Sequence, residues 1–130
     1  MNAIIKNLLL LIVVMAVGLL VGHGAQRAYA HFQSRAEAIQ TGDFSSLIRQ
    51  SKAPVVLFST QTCPYCKLAK AYLEKHRIAY RNIDVSTREG EVLFAQYQGE
   101  GVPLLMTASV RLQGYMEPEY DTYLKALTRG

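Results

Sequence analysis

Val55-Val56-Leu57-Phe58-Ser59-Thr60-Gln61-Thr62-Cys63-Pro64-Tyr65-Cys66 is the stretch on which the fold turns. Its first four residues form a continuous apolar run, the pattern of a strand buried on both faces. Thr60-Gln61-Thr62 then turns the chain. A helix is predicted to begin at Cys63, with Pro64 near its first position, where a missing N–H costs nothing. The following apolar residues, Tyr65, Leu68, Ala69, Tyr72 and Leu73, recur at the spacing of one helical face. His76 and Arg77 place positive charge where that helix should end.

Further along, Tyr80 to Val85 reads as a second strand, and Ser86-Thr87-Arg88-Glu89 has the form of a capping box opening a helix to about Tyr97. Gly99 and Gly101 close that helix. Pro103 to Thr107 and Val110 to Gln113 read as two strands joined at Ala108-Ser109. Pro118 opens a last helix with Tyr120, Tyr123, Leu124 and Leu127 on its apolar face. The order β-α-β-α-β-β-α predicts an α/β fold. Its mixed four-stranded sheet is parallel across the strand–helix–strand opening and antiparallel across the hairpin.

Leu8 to Val21 contains no charged or strongly polar side chain. Extended back to Ala3, residues 3–22 give about twenty, the length that crosses a bilayer as a helix. Lys6 is near enough to one end to snorkel to the interface. Residues 1–22 are therefore expected to be a transmembrane anchor. The alternative is a cleaved signal peptide, with Ala28-Tyr29-Ala30 as an A-x-A site, which would leave a secreted or periplasmic domain. The positive charges flanking the span are nearly balanced: Lys6 before it, Arg27 and Arg35 after it, with Glu37 offsetting them. A short basic N-terminus usually stays cytoplasmic, which puts the rest of the chain on the extracytoplasmic side. Residues 23–52 are expected to be a juxtamembrane linker, with short helical turns at Ala36–Ile39 and Phe44–Ile48 around Thr41-Gly42-Asp43. Residues 53–130 make the globular domain.

At 130 residues the chain has room for one modest domain and an appendage. Its net charge of +4 is scattered among acids, with no basic tract, which argues against nucleic-acid binding. There are only two cysteines, Cys63 and Cys66, too close together to staple distant segments. The pair is redox-active, metal-binding or incidental. A zinc site wants four ligands; no second Cys pair exists, and His23, His31 and His76 lack ligand spacing, so no metal is expected. A C-x-x-C at a strand-to-helix junction is a redox arrangement.

The nucleophile in such chemistry is the thiolate. A sulfur at a helix start faces free backbone N–H groups and the positive end of the helix dipole, both of which favour the anion. Lys67 and Lys70 add positive potential within the next two turns. Cys66, one turn further into the helix, should be the more shielded thiol. Cys63 is thus expected to attack and Cys66 to resolve.

The segment from Phe58 to Cys66, with C-P-Y-C at its end, resembles the active-site strand and loop of glutaredoxins of the dithiol class. Tyr80-Arg81-Asn82-Ile83-Asp84-Val85 is similar to that family's second strand, Val102-Pro103 to its T-V-P segment, and Gln113-Gly114-Tyr115 to its G-G turn. The resemblance covers about residues 54–128. It implies a thioredoxin-like fold in which Pro103 is cis and faces Cys63, leaving the Val102 backbone open to an extended peptide such as glutathione. It further implies that Tyr65 walls a glutathione groove and that the N–H groups of Gly114 and Tyr115 meet a glutathione carboxylate. Three positions depart from the family pattern: Thr60 where Lys is usual, Gly101 for Thr, and Gln113 for Gly. Lys67 is the candidate to replace the missing Lys. The implied activity is thiol–disulfide exchange on protein disulfides or glutathionylated proteins, with glutathione as co-substrate and no bound cofactor. Two alternatives stand beside it: a protein-disulfide exchanger independent of glutathione, and a non-catalytic membrane adaptor of the same fold.

Overall fold

The computed structural model describes residues 2–128, and for residues 28 and 30–37 the backbone alone. The chain divides into two compact units, the first ending at Glu37 and the second starting at Ala38.

The first unit is one helix, α1 (Asn2–Ala38). Within its segment Asn2–Arg27 an 18-residue stretch reaches a mean hydropathy of 2.7, and this is the one helix among the described residues long and apolar enough to cross a membrane. A signal sequence has the same properties. Seven consecutive apolar residues, Leu8 to Val14, put apolar side chains all round the helix rather than on one stripe, as a lipid-facing span requires. The helix does not stop at residue 22: it runs through His23-Gly24 into the better helix formers Ala25-Gln26-Arg27, and no proline occurs before Pro54. The first part of the expected linker is therefore helical. Ala28 and Ala30 of the alternative cleavage site, His31, Arg35, Ala36 and Glu37 lie outside the residues whose side chains are described.

The second unit contains β1 (Ile39–Thr41), α2 (Ser45–Ser51), β2 (Val55–Ser59), α3 (Pro64–Lys75), β3 (Tyr80–Asp84), α4 (Arg88–Gln96), β4 (Leu104–Met106), β5 (Val110–Gln113) and α5 (Glu117–Leu124). From β2 onward this is the expected β-α-β-α-β-β-α. The sheet has five strands rather than four, in the order β1-β5-β4-β2-β3. β2 pairs parallel with β3 and antiparallel with β4. The added strand β1 lies on the edge, antiparallel to β5, with Ile39 opposite Leu112 and Thr41 opposite Val110. Backbone bonds from Gly42 N–H to Ser109 C=O and from Phe44 N–H to Ala108 C=O continue that pairing past its end. Residues 39–51, assigned to the linker on sequence, thus belong to the domain.

β2 is an interior strand, between β4 and β3, and all five of its residues are buried. Alternation sends Val55 and Leu57 to one face, with Ala69, Tyr72 and Leu73 of α3 and Tyr120 and Leu124 of α5. Val56 and Phe58 point to the other, with Leu47 of α2, Leu104 and Met106, flanked by Leu93 and Phe94 of α4. Burying a side chain such as Phe58 contributes about 1.5–3 kcal/mol. The strand is thereby fixed, and the loop that leaves it is held in place.

Four local expectations are corrected. The buried face of α3 is Cys66, Ala69, Tyr72 and Leu73, whereas Tyr65 and Leu68 are 60% and 49% exposed. The helix is rolled so that Cys66 leads the apolar stripe. Thr87, not Ser86, caps α4, accepting the Gly90 N–H at 3.1 Å. Ser86 is taken by Asp84, whose Oδ1 accepts both its N–H and its O–H. The left-handed residue after α4 is Gln98 (φ 53°) rather than a glycine. On α5, Tyr120 and Leu124 are buried, but Tyr123 is exposed and Leu127 falls beyond the helix.

Candidate active site

β2 ends at Ser59, and the Thr60–Thr62 turn delivers Cys63 to the start of α3. Cys63 is the N-cap: its backbone is extended (φ −79°, ψ 116°), Pro64 follows in the first turn, and its sulfur accepts the Cys66 N–H at 3.1 Å. A thiol in that position takes the place of the oxygen that usually caps a helix and meets the same unsatisfied donors. The Cys63 S–H points to the Val102 carbonyl oxygen, 3.6 Å away. The Val102–Pro103 peptide bond is cis. β4 pairing starts at Leu104, so Val102 and Pro103 stand outside the sheet ladder, next to the thiol.

Both cysteines are thiols here, but their surroundings differ. Cys63 is partly exposed, and Cys66 is fully buried. Burial pushes the Cys66 thiol up to about 11, and the adjacent Cys63 sulfur pushes the same way. The Thr60 backbone and the Lys70 charge oppose this only in part. Cys66 therefore keeps its proton at neutral pH.

Beside Cys63 lies an open groove of about 240 Å³ lined by Tyr65, Val102, Pro103, Gly114, Tyr115 and Met116. Five of these are the residues expected on sequence to meet a peptide; the sixth, Lys67, is exposed on α3 and does not line it. Met116 was missed. As the residue preceding α5, it is placed by the same turn that delivers Gly114 and Tyr115. The Gly114 N–H, expected to meet a carboxylate, is instead bonded to the Pro103 carbonyl at 2.8 Å, closing the β4–β5 end of the groove.

A tyrosine cluster backs this wall. Tyr115 packs edge-on against Tyr120 with ring centres 5.1 Å apart, and Tyr120 packs on Tyr72 at 5.4 Å. The Tyr72 hydroxyl donates to Asp121, and the Tyr120 hydroxyl donates to the Gly114 carbonyl. Burial raises the hydroxyl pKa of all three above the ordinary value, with Asp121 adding to the effect at Tyr72. Tyr72 and Tyr120 pack beneath the groove, and Tyr115 both packs on them and lines it. Among the described residues, no three His, Cys, Asp or Glu side chains converge as metal ligands.

The glutaredoxin family model matches residues 55–103, from the first residue of β2 to the groove proline. A curated relative, an uncharacterized glutaredoxin-like 8.6 kDa protein of the rubredoxin operon of Clostridium pasteurianum, is 27% identical over 73 residues, 55% of this chain and 97% of that protein. Among solved structures, a glutaredoxin of Archaeoglobus fulgidus superposes with a TM-score of 0.51 at 24% identity, covering 65% of this chain and 95% of that one. A buckwheat glutaredoxin solved as its glutathione complex gives 0.51 at 23% identity, covering 65% and 86%. These likenesses establish the thioredoxin-like fold. Following an N-terminal apolar helix, the chain has a domain of thioredoxin-like architecture whose residues 55–103 match the glutaredoxin family model.

Proposed function

We propose that the protein is a membrane-tethered thiol–disulfide oxidoreductase in which Cys63 attacks and Cys66 resolves. The observation that carries this reading is the asymmetry of the pair: one sulfur at a helix N-terminus on an open groove, the other buried one turn behind it. The Cys63 thiolate attacks one sulfur of a substrate disulfide. The S–S bond breaks, and the departing sulfur leaves as a thiolate that takes up a proton. The Cys63 sulfur is then neutral, which removes two of the influences that hold the Cys66 proton in place and leaves burial as the main one. Cys66 loses its proton and attacks Cys63, releasing the second substrate thiol and forming the Cys63–Cys66 disulfide. Two glutathione molecules restore the dithiol, one forming a mixed disulfide at Cys63 and the second displacing it as oxidised glutathione. A substrate already glutathionylated needs only Cys63 and glutathione.

The groove suits an extended peptide, with Tyr65, Tyr115 and Met116 in its lining and the off-ladder Val102 backbone for strand-like pairing. The glutathione complex of the buckwheat relative supports glutathione as one such peptide. A second reading, a protein segment in place of glutathione, is favoured by the engagement of the Gly114 N–H and by the position of Lys67 outside the groove. Thr60 at the position of the family's usual Lys points the same way. Full-length protein in detergent, oxidised at the pair, is offered either glutathione or a thioredoxin-type reductase system. Reduction by glutathione alone supports the first reading, reduction by the reductase alone the second, and reduction by neither refutes thiol exchange.

α1 is proposed as the anchor, with the domain on the extracytoplasmic side. Alkaline carbonate should leave the chain in the membrane fraction. Protease added outside right-side-out vesicles should digest the domain. Release by carbonate would refute the anchor, and protection would reverse the orientation.

A further inference from the structure

Arg111 is an oddity of the domain. It lies in β5, on the sheet face it shares with its cross-strand neighbour Met106, and is 6% exposed. A buried guanidinium usually meets a carboxylate, because uncompensated burial of charge is costly. Among the described residues this one meets neutral oxygens: Nη1 donates to Gln40 Oε1 at 2.8 Å, and Nη2 donates to the Gln98 carbonyl at 2.6 Å and to Gln113 Oε1 at 3.4 Å. Its Nε–H is buried without a partner.

Its bonds share a direction. Gln113, two residues on in the strand and so on the same face, accepts from Arg111 and donates through Nε2 to the Gly101 carbonyl. The carbonyls of Gln98 and Gly101 are the two ends of the turn that leads from α4 to Val102. That turn begins at a residue in the left-handed region, Gln98 at φ 53°, a conformation that is unfavourable for a side chain of this kind and needs outside support. The residue delivered by the turn is the one whose carbonyl faces the Cys63 thiol at 3.6 Å and whose side chain lines the groove. On its far side the same segment is held by the Gly114-to-Pro103 bond.

We infer that Arg111 and Gln113 are positioning residues that clamp the 98–101 turn and so present Val102 to Cys63 and to an incoming peptide. The inference rests on the thiol-exchange reading above. It explains why a guanidinium is buried with no counter-charge among the described residues: a planar fork of five donors reaches a backbone carbonyl and side-chain amides at once, which an apolar side chain cannot do. It also links two of the departures from the family pattern, Gly101 and Gln113, as partners in one contact, the bond from Gln113 Nε2 to the Gly101 carbonyl.

The test uses reduced full-length protein in detergent and follows formation of the Cys63–Cys66 disulfide in a single turnover. One oxidant is a short peptide with an internal disulfide, which needs the groove; the other is 2-hydroxyethyl disulfide, which does not. Gln113→Ala and Arg111→Met are expected to raise the half-saturating peptide concentration about tenfold, the scale of loss for a mispositioned binding group. The rate with 2-hydroxyethyl disulfide should change less than about threefold, and Gln40→Ala, which cuts the bond pointing away from the turn, should leave the peptide value nearly unchanged. The double variant should be no worse than the poorer single one, because the two residues act as a unit. Wild-type protein that oxidises with neither disulfide refutes the thiol-exchange reading itself. Active wild type with an unchanged peptide half-saturation in Gln113→Ala refutes the clamp, and this milder variant decides the matter if Arg111→Met does not fold. Equal losses with both oxidants also refute it, as they would mark a general structural role.

Discussion

The division of labour between the two sulfurs can be probed without any substrate. Replacing Cys63 by Ser leaves Cys66 as the sole thiol of the chain. Cys66 has no exposed surface, and its titration is displaced from an ordinary 9.0 up to about 11, with burial as the largest cause. At pH 8 a thiol titrating at 9.0 is about one-tenth thiolate and one titrating at 11 about one-thousandth, a ratio of about a hundred and a preference for the protonated form of about 3 kcal/mol. The substitution removes the contributions of Cys63 but not the burial, so iodoacetamide at pH 8 should alkylate Cys66 between about ten and a hundred times more slowly than a free-cysteine peptide. The rate should climb about tenfold per pH unit through pH 9 and 10, and unfolding in guanidinium should abolish the difference. Alkylation at the free-peptide rate in folded Cys63→Ser protein would refute the argument, because it would mean that Cys66 is neither shielded nor held protonated.

Two further outcomes follow from the same contacts. Tyr72, Tyr80, Tyr115 and Tyr120 all titrate above the ordinary 10.0, chiefly through burial, with Asp121 and Glu74 adding to the effect at Tyr72 and Tyr80. The folded state holds these protons more tightly than the unfolded chain does, so their stabilising contribution is complete below pH 10 and lost above it, Cys66 starting the decline from about pH 9. Thermal melts should give a flat Tm from pH 7 to about 9 and a falling one above 10; a Tm constant to pH 11 would contradict this. Gly90 is buried in the first turn of α4, and a Cβ there would collide with the backbone carbonyl of Asp84. Gly90→Ala should therefore cost about 2 kcal/mol or more, read as a lower denaturation midpoint, and an unchanged midpoint would show that the β3–α4 junction yields easily.

What could be read in the sequence was local. The run Val55–Phe58, the Cys63-Pro64 helix start and the hairpin near Ala108-Ser109 each carry their signal within a few residues, and β2, α3 and the β4–β5 pair formed there. Five of the six groove residues were also named in advance, because they lie in the C-P-Y-C, Val-Pro and Gly-Tyr segments that carry the resemblance to glutaredoxins. β1 escaped notice because Ile39-Gln40-Thr41 is too short to show alternation, and it is a strand only by pairing with Val110–Leu112, some seventy residues away. Ser86 was misassigned as a cap because nothing in S-T-R-E reveals that Asp84 takes it first. Arg111 was passed over because a charged residue in a strand reads as solvent-facing, and its acceptors at Gln40 and Gln98 come together only in the folded sheet.

Trapping the exchange intermediate tests the central claim most directly. Reduced Cys66→Ser and Cys63→Ser proteins are each mixed with a peptide disulfide, acid-quenched, digested and mapped by mass spectrometry. Attack by Cys63 predicts a stable peptide adduct on Cys63 in the first variant and none in the second. Adducts in equal yield on both cysteines, or on Cys66 alone, would contradict it.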